Sequence, residues 1–132
     1  MYQIFVVSND GDGLSAMLNV FEHAGYRATG ASTFQEAQQR LSTESPDLVI
    51  ADERLGDFNG LHVLLTALAE HPRAGAIVTT PVKNRGLEAD ARSLNVHCMV
   101  KPENPAEWLA PVSTVLMTAA VSNVLMTAAQ VA

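Results

Sequence analysis

Short apolar runs that each end in a polar turn, followed each time by a stretch of helical spacing, constrain this chain more than anything else in it. The first, Ile4-Phe5-Val6-Val7, stops at Ser8-Asn9-Asp10-Gly11-Asp12-Gly13. Leu14, Met17, Leu18 and Phe21 then recur at helical intervals, and Gly25 is placed to end that helix. Arg27 to Ala31 is a short extended piece, and Ser32 with Gln35 three residues on predicts the cap of a helix carrying Phe34, Ala37 and Leu41. Pro46-Asp47-Leu48-Val49-Ile50-Ala51 repeats the pattern, ending at Asp52-Glu53 and the turn-rich Gly56-Asp57-Phe58-Asn59-Gly60. Leu61, Leu64, Leu65 and Leu68 form the next stripe, and Ala76-Ile77-Val78 ends at Thr79-Thr80-Pro81. A weakly apolar helix over about Arg85 to Leu94 leads to Val96–Val100 and Lys101-Pro102, and a last helix begins near Asn104-Pro105 with proline in its first turn.

Runs that are continuously apolar, rather than alternating, belong to strands covered on both faces. Alternation of such strands with helices implies parallel strands joined by right-handed crossovers. The expected fold class is therefore α/β, a doubly wound five-stranded parallel sheet with five helices. Functional residues in such sheets gather beyond the carboxyl ends of the strands, which here carry Ser8-Asn9-Asp10, Asp52, Thr79-Thr80 and Lys101. Two acids, hydroxyls and a lysine on one edge point to phosphoryl or metal chemistry, because a phosphoryl group needs a nucleophile, a cation and hydrogen-bond donors around its oxygens.

Charge narrows the partners. Fourteen acidic against eight basic residues give a net charge of −6, and no Lys/Arg run offers the basic stripe a nucleic-acid backbone demands. Direct nucleic-acid binding is not expected. The single cysteine, Cys98, has no partner for a disulfide and no ligand at metal spacing beside it. His23, His62, His71 and His97 are likewise read as ordinary surface or loop histidines. Gly11 and Gly13 lack the further glycine that would make a dinucleotide-binding loop. The N-terminal run has no basic residue before Arg27 and does not resemble a signal peptide, so a cytoplasmic chain is expected.

All 22 charged residues lie in 1–107, leaving 25 uncharged residues from Trp108 to Ala132. That is long enough to span a bilayer, but the stretch is interrupted by Pro111, Thr114, Thr118, Ser122, Asn123 and Gln130 and has no basic anchor. It reads as a packed helix, not a membrane segment. Within it Val112–Ala120 recurs as Val121–Ala129 with one difference in nine positions. Nine residues advance a helix by about 900°, so the second copy faces roughly 180° away from the first. The expected organisation is one domain over 1–120 with an apolar extension of its last helix over 121–132. The extension should pack on another copy of the chain, making a homo-oligomer.

The order of elements, the Pro46–Asp52 segment with Gly60 eight residues after Asp52, the Ala24-Gly25-Tyr26 helix end and Val100-Lys101-Pro102 together resemble the receiver domain of two-component response regulators, a flavodoxin-like architecture. The resemblance covers roughly residues 2 to 120. It implies that Asp52 accepts a phosphoryl group from a histidine kinase, that Lys101 pairs with the phosphate, and that Thr79 or Thr80 supplies the switch hydroxyl. It implies magnesium held by Asp52, by the Arg54 carbonyl and by acids after the first strand, and a cis bond at Lys101-Pro102.

The chain departs from that pattern in two places. Ser8-Asn9 stand where the family has its acidic pair, leaving Asp10 one position later, so any magnesium site formed by Asn9, Asp10, Asp52 and Arg54 is expected to be weak. Cys98 occupies the position of the family's switch aromatic. Three functions are therefore in play: a phospho-receiver with weak phosphorylation, a phosphorylation-independent interaction module, and a small phosphotransfer or hydrolytic enzyme using Asp52 as nucleophile.

Overall fold

The computed structural model describes the backbone of residues 1–131 and the side chains of residues 1–125. The strands β1 (Gln3–Val7), β2 (Arg27–Ala31), β3 (Leu48–Asp52), β6 (Gly75–Thr80) and β7 (His97–Val100) form one five-stranded sheet in the order β2-β1-β3-β6-β7, with every pairing parallel. The helices are α1 (Gly11–His23), α2 (Phe34–Leu41), α3 (Gly60–Glu70), α4 (Arg85–Ser93) and α5 (Leu109–Val131). This is the architecture expected from the alternation of runs and stripes.

Successive side chains of a strand point to opposite faces, so each buried run feeds two cores. Phe5, Val7, Val49, Ala51, Ala76 and Val78 face α2, α3 and α4, meeting Ala37, Leu41, Leu64, Ala67, Leu87 and Ala91. Ile4, Val6, Leu48, Ile50 and Ile77 face the other way, onto Met17 and Phe21 of α1 and Val112 and Leu116 of α5. Burial of each large apolar side chain stabilises the fold by about 1.5–3 kcal/mol. This double cover is why Ile4–Val7 of β1 and Leu48–Ala51 of β3 carry no polar residue before the carboxyl edge.

Trp108 belongs to the second core. It ends a short 3-10 turn, Pro105–Trp108, which Asn104 caps through a 3.1 Å bond from the Ala106 N–H. Its indole is 1% exposed and meets Phe21 edge-on, with ring centroids 6.4 Å apart. Proline at the first turn is thus found, but in a 3-10 turn that precedes α5.

Three local expectations change. The cap of α2 is Thr33, not Ser32, one residue later than read: the Thr33 hydroxyl accepts from the Glu36 N–H at 3.1 Å, and the Glu36 carboxylate reaches back past the cap to accept from the Ser32 N–H at 3.4 Å. The turn-rich segment after Asp52 contains a small antiparallel hairpin, β4 (Arg54–Leu55) and β5 (Phe58–Asn59), closed where Gly56 takes a φ of +63°. Finally, no cis peptide bond occurs among the described residues, so Lys101-Pro102 is trans and not cis. Trans is the favoured isomer even before proline, and with it the Lys101 N–H still reaches the Thr80 carbonyl at 2.9 Å and its ammonium still reaches the sheet edge.

Candidate functional site at the carboxyl edge of the sheet

Register brings the site together. Val7 of β1 lies beside Ala51 of β3, so the next residues, Ser8 and Asp52, leave the sheet side by side. Asp52 pairs in register with Thr79 of β6, and Thr80 with Val100 of β7, which delivers Lys101 to the same edge. Asp52, Thr79, Thr80 and Lys101, with Asn9, Asp10, Glu53, Arg54, Pro81, Val82 and Asn84, line a cleft of about 570 Å³.

Asp52 is at its centre, its side chain only 17% exposed. The Ser8 hydroxyl donates to its Oδ2 at 2.6 Å, and the Thr79 hydroxyl donates to its Oδ1 at 2.8 Å. The Lys101 ammonium stands 3.6 Å from the same Oδ1 and 3.9 Å from Asp10 Oδ2, bridging the two carboxylates. A partly buried carboxylate costs free energy unless hydrogen-bonded and paired. Here two hydroxyls and one cation meet that need.

The two threonines at this edge differ in where their hydroxyls point. Thr79 touches Asp52, whereas the Thr80 hydroxyl turns away and donates to the Val82 carbonyl at 2.8 Å. Asp10 is also the N-cap of α1, accepting from the Gly13 N–H at 3.2 Å, and its own N–H donates to the Ser8 hydroxyl at 3.2 Å. Asn9 and Arg54 are exposed at the rim of the cleft. Cys98 lies off this cluster, packed against the core beneath α4, where burial and the Glu88 and Glu53 carboxylates push its thiol pKa above the ordinary 9.0. Pro102 makes no part of the cluster around Asp52.

Two features escape a reading of the sequence. One is Ser8: the missing acid is visible there, the hydrogen bond that replaces it is not. The other is the physical role of Gly60. Its N–H donates to the Glu53 carbonyl at 2.7 Å, and a Cβ built on it would lie 1.9 Å from the Asp52 carbonyl oxygen. Only glycine lets α3 start so close to the strand that carries Asp52.

Among the described residues no group of three or more His, Cys, Asp or Glu is placed to hold a metal ion.

Comparison with known proteins fits this geometry. The sequence model of the response regulator receiver domain matches residues 4–113. Among solved structures, a CheY-like response regulator receiver domain protein from Methanospirillum hungatei superimposes with a TM-score of 0.84 at 22% identity, covering 92% of this chain and 98% of its own. The response regulator TrrA from Thermotoga maritima, solved in complex with Mg2+-BeF, gives 0.75 at 23% identity over 87% of this chain and 99% of its own. A response regulator from Burkholderia pseudomallei with a phosphorylated aspartic acid gives 0.79 at 20% identity, over 96% of this chain and 75% of its own. Among curated proteins no sequence matches.

Proposed function

The chain belongs to the response regulator receiver domain family of two-component systems, and from that premise we propose that Asp52 is its phosphoacceptor and that its cation site is depleted, so that phosphoryl transfer is slow. Receiver domains are signalling modules rather than enzymes, and their partners are histidine kinases or other signalling proteins. The small-enzyme reading has no support beyond the Asp52 carboxylate itself.

The observation that carries the proposal is the company of Asp52: Ser8, Thr79 and Lys101 within 3.6 Å, with Asp10 as the other acid bridged by the lysine. In the proposed step an Asp52 carboxylate oxygen attacks the phosphorus of a phosphohistidine. The phosphorus–nitrogen bond breaks, its electron pair returns to the imidazole, which takes up a proton, and an acyl phosphate forms. Lys101 offsets the added negative charge, and the Thr79 hydroxyl can turn from the carboxylate to a phosphoryl oxygen. With Thr79 in that role the next residue is Thr80, which keeps a backbone N–H that Pro81 lacks.

Magnesium is the weak point. It prefers anionic oxygens in octahedral array. This cleft offers two carboxylates, both within 3.9 Å of an ammonium, and a buried Ser8 hydroxyl already committed to Asp52. These residues as placed do not fit a divalent cation, and no part of the transfer above is assigned to one. Relatives solved with Mg2+-BeF or a phosphorylated aspartate support the phosphoacceptor reading of this position.

The closed hydrogen bond from Ser8 favours a second reading, an interaction module that works without phosphorylation. Incubation with acetyl phosphate and magnesium, followed by intact mass measurement, separates the two. Slow, partial addition of one phosphoryl group, abolished in Asp52→Asn, is expected. Rapid stoichiometric addition would overturn the depleted site; no addition after prolonged incubation would leave the interaction module.

A further inference from the structure

Asn59 is the one asparagine of this chain that precedes a glycine, and the fold makes a demand on each of the two residues. Gly60 is fixed by its close approach to β3, where a Cβ would lie 1.9 Å from the Asp52 carbonyl oxygen. Position 59 is the N-cap of α3, and its Oδ1 accepts from the Leu61 N–H at 2.8 Å, a task for a short polar side chain. Together the two demands write a pair that is open to reaction with itself: with no Cβ on the following residue, little hinders its backbone nitrogen from reaching the asparagine carboxamide. We propose that Asn59 is a modification site, converted with water to aspartate or isoaspartate with loss of ammonia, and that the docked start of α3 holds this reaction in check.

The reaction needs nothing outside the chain but water. The Gly60 nitrogen gives its proton to hydroxide and attacks Cγ of Asn59, forming a new nitrogen–carbon bond. The carbon–nitrogen bond of the carboxamide breaks, and its nitrogen takes a proton from water and leaves as ammonia. Water then opens the cyclic imide. Addition at the side-chain carbonyl gives aspartate; addition at the main-chain carbonyl gives isoaspartate, whose main chain is longer by a methylene.

Two contacts oppose the first step. The Gly60 N–H donates to the Glu53 carbonyl at 2.7 Å and Gly60 is buried, so its nitrogen resists the loss of a proton. The Leu61 N–H holds the carboxamide oxygen of Asn59 against the first turn of α3. Asn59 itself is exposed, so water is at hand whenever those bonds open. Reaction therefore follows local opening of that turn rather than unfolding of the whole domain. The two products differ in consequence. Aspartate caps a helix as well as asparagine does, and its charge suits a helix start. Isoaspartate lengthens the link between Phe58 and Gly60, which then cannot keep both the Glu53 bond and its fit against the Asp52 carbonyl, so the end of β3 that carries Asp52 is displaced.

Incubation of the full chain at mildly alkaline pH, native and in guanidinium chloride, followed by peptide mapping, tests the proposal independently of any phosphoryl chemistry. In denaturant Asn59 should react faster than any other asparagine, and Asn59→Ser, which keeps a capping side chain, should remove that product. In the native chain the rate at Asn59 should fall by roughly tenfold or more, the measure of how seldom the turn opens. Leu61→Ala, which loosens the first turn of α3, should raise the native rate several-fold, whereas Val112→Ala, a truncation in the opposite core, should not. The isolated isoaspartyl form should unfold at a lower temperature than the Asn59→Asp chain. Four outcomes overturn the idea: reaction in denaturant that spares Asn59, equal native and denatured rates, a native rate that responds to Leu61→Ala no more than to Val112→Ala, or an isoaspartyl form as stable as Asn59→Asp.

Discussion

The Ser8 hydroxyl donates to Asp52 Oδ2 at 2.6 Å from a side chain that is itself fully buried. An acid at that position would set two carboxylates face to face and require a cation between them. Serine removes the requirement, and the resting cluster closes on itself with the Lys101 ammonium between Asp10 and Asp52. The exchange links a single residue after β1 to the electrostatics of the whole edge.

Restoring the acids should therefore restore the cation. Ser8→Asp with Asn9→Asp adds two negative charges beside Asp52, and magnesium affinity measured by calorimetry should rise at least tenfold, a gain of about 1.4 kcal/mol. Unchanged affinity would show that these two positions are not where a cation is held.

Lys101→Met should separate pairing from packing, since methionine keeps much of the apolar stem. It leaves Asp10 and Asp52 facing each other without a cation. Lys101 and Asp10 are partly solvated, their side chains 25% and 58% exposed, so the loss should be about 1–2 kcal/mol, below that of a fully buried pair. Urea unfolding should show it, and Asp10→Asn in the same background should recover part of it. A stability equal to the parent would mean that the bridge contributes nothing.

The fold was legible because doubly covered strands leave an unmistakable trace. Leu48-Val49-Ile50-Ala51 admits no polar residue before Asp52, and both of its faces are buried. The edge residues followed from where those runs stop. The choice between Thr79 and Thr80 did not, because counting from Asp52 and from Lys101 gives different answers, and only the register of β3 with β6 sets Thr79 beside Asp52. Ser8 illustrates the same limit: its bond depends on the lateral neighbourhood of β1 and β3, which no spacing along the chain encodes. At Pro102 the family resemblance suggested a cis bond where the structure is trans. Trp108 heads the uncharged tail in sequence, yet its contact with Phe21 makes it core.

Cys98 carries a pH signature. Its thiol pKa is raised above the ordinary 9.0, first by burial and then by Glu88 and Glu53. Because the thiolate is the nucleophile, alkylation by iodoacetamide in the folded protein should be slower than in the unfolded chain at pH 8, and its rate should go on rising with pH after that of the unfolded chain has levelled off. The linkage has a definite sign: with the folded pKa above the unfolded value, the protonated thiol favours the fold below the unfolded pKa, and that contribution is lost as pH rises through the folded one. Cys98→Ala should remove this alkaline component from the pH dependence of unfolding. An alkylation rate equal to that of the unfolded chain at pH 8 would contradict the assignment.

Gly60 gives the sharpest prediction. A methyl group there would sit 1.9 Å from the Asp52 carbonyl oxygen and 2.7 Å from its carbonyl carbon, both backbone atoms that cannot swing aside. The same glycine donates its N–H to the Glu53 carbonyl and begins α3, with Asn59 as the cap accepting from the Leu61 N–H at 2.8 Å. Relief of the clash must move either the end of β3, carrying Asp52 away from Ser8 and Thr79, or the start of α3, pulling buried Leu61 and Leu64 from the core. Gly60→Ala is therefore expected to lose more than about 4 kcal/mol, the range of severe core disruption. Gly86→Ala, on α4 with only an Asn84 side-chain oxygen at 3.5 Å, should be neutral or stabilising. Thermal unfolding of the pair makes the comparison within one scaffold. If Gly60→Ala unfolds at the temperature of the parent, the close approach of α3 to the Asp52 strand is not what that glycine is for.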